Sequence, residues 1–140
     1  MAETTLVDSD IEGGRQLLPA LDRSGIPVDV AHWLYRLEVG RWRLVFASPL
    51  VDTVGETDLF RRIRELLETG AAPELTLDDV GVVSVRDRIA SGLHRIPVAE
   101  RLEEFRPTGA VVNGLSVDDA YVYRTLPPQP TRSRRIAAKI

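Results

Sequence analysis

The stretch that decides the fold is residues 28–51, VDVAHWLYRLEVGRWRLVFASPLV. It contains two runs rich in Val, Trp, Tyr and Phe, residues 28–37 and 42–51, separated by the short segment EVGR. β-Branched and aromatic residues favour strands, and a glycine-containing segment between two such runs favours a turn. The stretch therefore predicts a β-hairpin.

Because alternate residues of a strand point to opposite sides, the hairpin sorts its side chains onto two faces. The first face is apolar and aromatic, and its expected cross-strand pairs are Leu37–Trp42, Tyr35–Leu44 and Trp33–Phe46. The second face is mixed, and its expected pairs are Arg36–Arg43, Leu34–Val45 and His32–Ala47. One face is thus suited to a core, while the other places two like charges together.

Two arginines directly opposite each other are unfavourable unless solvent or an anion separates them. Arg36, Arg43 and the neighbouring His32 are therefore candidate binding residues. The alternative is that both arginines are simply solvated. A turn of a different length would also shift the register and separate the pair.

The sequence predicts three helices around this hairpin. The first begins at the capping-box spacing of residues 9–12 and contains Pro19, where we expect a bend or an early end. The second begins with Thr57 as its N-cap and carries an apolar stripe on one side. The third follows the Ser-x-x-Asp spacing of residues 84–87.

Further strands are predicted in the second half of the chain. Residues 80–83 form a short apolar run. Asn113-Gly114 lies between the apolar runs 110–112 and 115–117, a pattern typical of a type I′ hairpin. Residues 120–126 favour a last strand. The sum is an α+β fold with a mixed, mainly antiparallel sheet packed with two or three helices as a two-layer sandwich.

A single domain accounts for most of the 140 residues. We expect it to span residues 1–126, with residues 1–7 flexible. Three prolines within Leu126-Pro127-Pro128-Gln129-Pro130 stop regular structure, so residues 127–140 are predicted to be a proline-rich spacer and a basic tail.

Charge is distributed unevenly between the domain and the tail. Residues 1–130 carry 21 acidic and 14 basic side chains, whereas residues 131–140 carry four basic and no acidic ones. An acidic body argues against non-specific wrapping of nucleic acid. Arg132, Arg134 and Arg135 of the tail are candidate phosphate contacts, and a partner-binding peptide or a terminus without function are the alternatives.

The sequence lacks the residues or motifs that several kinds of catalytic and metal site require. There is no cysteine, which excludes disulfides, thiolate nucleophiles and cysteine-based metal sites. The two histidines show no metal-ligand spacing, and no phosphate-binding loop or serine-hydrolase motif is present. We therefore expect no metal and no cofactor, and we favour a protein without catalytic activity.

Weaker patterns remain open. The acidic pairs Asp78-Asp79 and Asp118-Asp119 suit turns, or a divalent cation if the fold joins them. The spacing of Arg88 and His94 resembles in part the arginine–histidine motif of HEPN ribonucleases. Those ribonucleases are all-helical, whereas this chain carries clear strand patterns, so we assign no site to these residues.

The leading hypothesis is a small interaction or accessory protein that binds another protein and forms a homodimer. The aromatic residues Trp33, Trp42, Tyr121 and Tyr123 are candidate interface residues, with a core position as the alternative. A nucleic-acid-associated accessory protein that uses the tail and the arginine-bearing face is the second hypothesis.

The sequence also predicts where the protein acts. The longest uncharged apolar stretch, residues 44–51, is far shorter than the roughly 20 residues that span a bilayer, so we expect no membrane insertion. The acidic N-terminal sequence does not resemble a secretion signal, which favours the cytoplasm. Arginine accounts for 17 of the 18 basic residues, a bias typical of GC-rich coding, and we expect a bacterial protein.

Overall fold

The computed structural model describes residues 5–95 and 104–125. Its elements are α1 (Asp8–Arg23), β1 (Val30–Arg36), β2 (Arg41–Ala47), α2 (Glu56–Glu68), β3 (Val80–Val83), α3 (Arg88–His94), β4 (Thr108–Val112) and β5 (Leu115–Thr125). Short 3-10 turns lie at Pro49–Asp52 and Leu77–Asp79. The predicted spacer and tail, residues 127–140, lie outside the described residues.

The five strands form one sheet in the order β3-β2-β1-β5-β4. The β2–β3 pair is parallel and is connected through α2, while the other three pairs are antiparallel. The predicted α+β class with a mixed, mainly antiparallel sheet is therefore confirmed. The single parallel pair was not anticipated, because it depends on a crossover through α2 and not on a hairpin.

The β1–β2 hairpin is present, but its register differs from the prediction. The turn consists of residues 37–40, and the carbonyl of Arg36 accepts hydrogen bonds from the N–H groups of Val39 and Gly40. Arg36 therefore lies opposite Arg41, and Leu34 lies opposite Arg43. Because the turn begins one residue earlier than expected, every cross-strand partner changes while the residues of each face stay the same.

Two separate cores lie on the two faces of the sheet. Trp33, Leu44 and Phe46 belong to the first core, which packs against α1 and α2. Their neighbours Val30 and Ala47 belong to the second core, which packs against α3. We call these sides the aromatic face and the α3 face. The two-layer packing that we expected is not confirmed, because helices lie on both sides of the sheet.

Close approach of α1 to the aromatic face depends on Gly14. A Cβ atom at this position would overlap the ring and hydroxyl of Tyr123. That hydroxyl donates to the carbonyl of Ile11 at 2.7 Å and accepts from Trp33 Nε1 at 2.8 Å. The α1 helix also continues through Pro19 to Arg23, so the expected early end is not observed.

The position of α3 is fixed by the β4–β5 turn. Asn113, whose φ of 53° suits the predicted type I′ turn, donates from Nδ2 to the Arg88 carbonyl at 3.0 Å and to Ser91 Oγ at 3.2 Å. A Cβ atom at Gly92 would overlap Val112. These contacts hold α3 at the β4–β5 end of the sheet.

The helix starts differ from the predicted ones. The N-cap of α1 is Val7, two residues before the expected Ser9. The N-cap of α2 is Gly55, with a φ of 90°, and Thr57 lies inside the helix. The N-cap of α3 is Asp87, whose carboxylate accepts from the N–H groups of Ile89 and Ala90, each at 3.1 Å. The predicted last strand is also longer, since β5 runs without interruption from residue 115 to 125.

Replacing Gly14 by alanine should destabilise the protein by about 1–3 kcal/mol, because the new methyl group pushes Tyr123 out of its hydrogen bonds. Gly13→Ala is the matched control. Its methyl group would lie 2.8 Å from Leu75 Cγ, so this buried side chain must shift, but no hydrogen bond is lost and helix propensity improves. We therefore expect a smaller loss of stability for Gly13→Ala. Urea unfolding of both variants measures the difference, and equal stability of the two would contradict the account.

Candidate binding groove

The α3 helix covers only part of the face on which it packs. Seven helical residues extend about 10 Å, whereas the seven-residue strands β1 and β2 extend about 23 Å. Because α3 contacts β1, β4 and β5, it lies toward the β4 side of the sheet. Within the described residues, the other part of this face, at the hairpin turn and β3, has no covering helix.

A groove of about 310 Å³ occupies this uncovered part. We call it the arginine groove, and its lining residues are Leu34, Arg36, Val39, Arg41, Arg43, Val45, Gly81, Val82 and Val83. Its walls are aliphatic side chains and the stems of three arginines. Such a surface combines apolar contact with cationic head groups.

Two of the three arginines already have acidic partners. Arg36 pairs with Glu38 at 2.9 Å, and Arg41 pairs with Asp79 at 3.4 Å. Arg41 also donates to the carbonyl of Asp78 at 3.2 Å. Both ion pairs have at least one partly exposed partner, so each contributes little to stability.

Arg43 differs from its two neighbours. Its Nη2 donates to the carbonyl of Val80 at 2.8 Å, and no carboxylate in the described part of the chain pairs with it. A Cβ atom at Gly81 would lie 3.4 Å from Arg43 Nη2, in ordinary van der Waals contact. The Nε atoms of Arg43 and Arg36 are buried without a hydrogen-bond partner. Arg43 therefore keeps a positive charge and N–H donors that no described carboxylate satisfies.

The sequence identified part of this groove. Arg36 and Arg43 lie in it, on the same face as predicted, although they are not directly opposite each other. Arg41 was missed, and the alternation of side chains along β2 could have found it because Arg41 and Arg43 are two residues apart. No sequence pattern could have placed Gly81 and Val83 in the groove, since β3 becomes a neighbour of β2 through the parallel crossover and not through a hairpin.

His32 does not line the arginine groove. It lies on the α3 face of β1 but is only 1% exposed, and neither ring nitrogen has a hydrogen-bond partner in the described structure. Burial lowers the pKa of His32 to about 4, and the nearby carboxylate of Asp87 opposes this shift only in part. The predicted role of His32 as a surface binding residue does not fit this burial.

The four aromatic residues predicted at an interface are engaged inside the protein. Trp33 and Trp42 are 2% and 6% exposed. Tyr121 and Tyr123 are partly buried against the first core, and the Tyr121 hydroxyl donates to Glu104 at 2.6 Å. Their positions match the alternative of a core, and they leave little aromatic surface for a partner.

Glu104 and Arg106 hold the chain across the end of the aromatic face. Glu104 accepts from Arg15 at 2.8 Å, and these bonds hold the pKa of Glu104 below its usual value. Arg106 pairs with Asp119 at 2.8 Å and lies 5.7 Å from the centre of the Trp42 ring. These contacts are structural and leave no group directed at a ligand.

One carboxylate of each acidic pair is already hydrogen-bonded to the backbone. Asp79 accepts from the N–H of Thr76 at 3.0 Å, and Asp118 accepts from the N–H of Leu37 at 2.8 Å. Arg88 donates to the carbonyl of Asn113 at 3.0 Å. Across residues 5–95 and 104–125, no group of three or more His, Asp or Glu side chains is arranged to hold a metal ion.

A larger cleft of about 600 Å³ lies on the other side of the hairpin turn, and its lining includes Trp33, Trp42, Asp10, Arg41 and Asp79. Its charged groups are already occupied. Asp10 accepts from the N–H of Val7 at 3.3 Å, and Asp79 binds Arg41 and the backbone of Thr76. We therefore consider the arginine groove the better candidate site.

Arg132, Arg134 and Arg135 lie outside the described residues, so their proposed phosphate contacts stay a prediction. In the part of the chain that the structure describes, no helix has both the length and the apolar character needed to cross a bilayer.

Comparison with known proteins adds no assignment. No protein-family model, no curated protein and no solved structure matches this chain. The geometry of the groove is therefore the basis for a proposed function.

The burial of His32 makes stability depend on pH. Because its pKa is lower in the folded protein than the ordinary value of 6.5, protons bind preferentially to the unfolded chain as the pH falls. Between pH 7 and pH 4.5 this effect should remove about 2–3 kcal/mol of unfolding free energy. His32→Leu should remove that part of the pH dependence.

Chemical unfolding at the two pH values measures the effect in both proteins. Carboxylates contribute equally to the pH dependence of both proteins. The difference between the two changes in unfolding free energy therefore isolates the contribution of His32. Identical pH dependence in the wild type and the variant would contradict the assignment of His32 as a buried neutral group.

Proposed function

We propose that this protein is a small, non-enzymatic interaction protein whose arginine groove binds an acidic and partly apolar segment of a partner protein. The observation that supports it is the Arg43 guanidinium, which lies half-buried among aliphatic side chains with no carboxylate beside it in the described structure. A cation in such surroundings lacks part of the hydration that water would give it.

A carboxylate supplied by a partner would complete this site. Guanidinium and carboxylate groups form short, charge-assisted and frequently bidentate hydrogen bonds. The aliphatic walls formed by Leu34, Val45 and Val83 would at the same time contact apolar side chains on either side of the acid. Both features are typical of protein interfaces, where arginine is enriched.

A nucleic acid fits the groove less well. Phosphate binding draws on several free cations along an exposed surface. Here Arg36 and Arg41 already have carboxylate partners, and the walls between the arginines are apolar. The nucleic-acid hypothesis thus depends on the tail, and it stays a prediction together with the cytoplasmic location and the bacterial origin.

Peptide display tests the proposal directly. Selection of random ten-residue peptides on the full chain should enrich sequences in which Asp or Glu is flanked by aliphatic residues. Arg43→Gln should weaken binding of the selected peptides by about tenfold or more, because the charge-assisted bonds are lost. Isothermal titration measures the affinities.

Arg61→Gln is the matched control, because Arg61 is an exposed arginine on α2 whose ion pairs in the described structure are with Asp58 and Glu65 of the same helix. Its affinity for the peptides should equal that of the wild type. Selected peptides that lack acidic residues, or equal binding by the Arg43→Gln variant, would refute the proposal. If the wild type binds a single-stranded oligonucleotide and Arg43→Gln abolishes that binding, nucleic acid is the better candidate ligand.

A further inference from the structure

We propose that the edge of β4 with which no described strand pairs joins the same edge of a second copy of this chain, so that two five-stranded sheets form one. This surface lies at the end of the sheet opposite β3 and does not depend on the function proposed for the arginine groove.

The backbone of Val111 presents its hydrogen-bonding groups at the outer edge of β4. β4 and β5 are joined by the two-residue turn Asn113-Gly114, and Val112 pairs with Leu115 beside it. In such a hairpin the pair flanking the turn is hydrogen-bonded, so the next residue directs its N–H and C=O away from the partner strand. Val111 is that residue, and within the described residues nothing bonds to these outward groups.

Much of this edge strand is exposed to solvent. Val111 is 71% exposed, and it is the most exposed large apolar side chain in the described structure. The neighbouring positions Thr108 and Gly109 are exposed as well. Monomeric proteins usually protect such edges with charges or proline, and β4 contains neither. By contrast, the other edge strand, β3, has its Val82 only 6% exposed.

Charge around β4 favours a second copy in the antiparallel orientation. The end of β4 near the turn carries Arg88 and Arg95, both of which donate to Asn113. Among the described residues, the opposite end carries three carboxylates, Glu104, Asp118 and Asp119, against the two cations Arg15 and Arg106, so it keeps a net negative charge. A two-fold axis near Val111 brings the basic end of one copy toward the acidic end of the other, whereas a parallel arrangement would place like charges together.

The size of the surface predicts a weak complex. A five-residue strand pair with one apolar residue at its centre buries less than the roughly 1,200 Å² of a standard stable interface. Dimerisation should therefore depend on protein concentration. Each dimer would carry its two arginine grooves at the outer ends of the joined sheet, a geometry suited to bivalent binding.

Light scattering on the full chain, from about 10 to 500 µM, tests this pairing. The wild-type mass should rise from that of one chain toward that of two. Val111→Lys should raise the dissociation constant by about tenfold or more, because the two introduced charges would lie next to each other at the two-fold axis and repel. Val54→Lys is the matched control, since Val54 is 42% exposed in a loop. It should behave like the wild type.

Single cysteines test the geometry, since the chain contains none of its own. Paired strand residues have Cα atoms about 5.5 Å apart, within the range that a disulfide spans. Val111→Cys should form a covalent dimer under mild oxidation, and Val54→Cys should not. A wild type that stays monomeric over the whole range, dimerisation unaffected by Val111→Lys, or equal crosslinking by the two cysteines would overturn the proposal.

Discussion

The short length of α3 is the constraint on which the site depends. A seven-residue helix, anchored at the β4–β5 turn by Asn113 and Gly92, cannot cover the full length of a seven-residue strand. The α3 face is consequently apolar and closed at one end and lined with arginines at the other. A longer helix in this position would have filled the groove with its own side chains.

The central strand β1 contributes side chains to both faces of the sheet. Its side chains alternate between the aromatic core and the α3 face, and the first four residues of the strand are buried. Toward the turn, Leu34, Tyr35 and Arg36 are only partly buried. Stability is therefore concentrated at one end of the strand, while the end near the turn keeps polar and apolar groups accessible together.

Much of the fold could be predicted because it is encoded locally. Alternation placed Trp33 and Phe46 on one face and Arg36 and Arg43 on the other, and Asn113-Gly114 specified a hairpin with the observed turn. These features depend on residues close in sequence. The face composition was insensitive to the register error, because the shift preserved the alternation.

What could not be predicted depends on contacts between distant segments. The register of β1 and β2 was set by the backbone bonds of the turn, and Gly14 gave no sign that it faces Tyr123. Likewise, the groove needs β3 beside β2, and that neighbour arrives through α2. The sequence thus indicated the arginine pair, and only the fold showed which arginine has no carboxylate partner among the described residues.

NMR of isotopically labelled protein, titrated with an acidic peptide, tests the central claim most directly, because the side-chain Nε–H signals of individual arginines can be followed. The account predicts that the Arg43 Nε–H signal and the amides of residues 34–36, 41–45 and 81–83 shift together as a carboxylate enters the groove. Shifts confined to the cleft beside Trp42, or to the outer surfaces of α1 and α2, would contradict it.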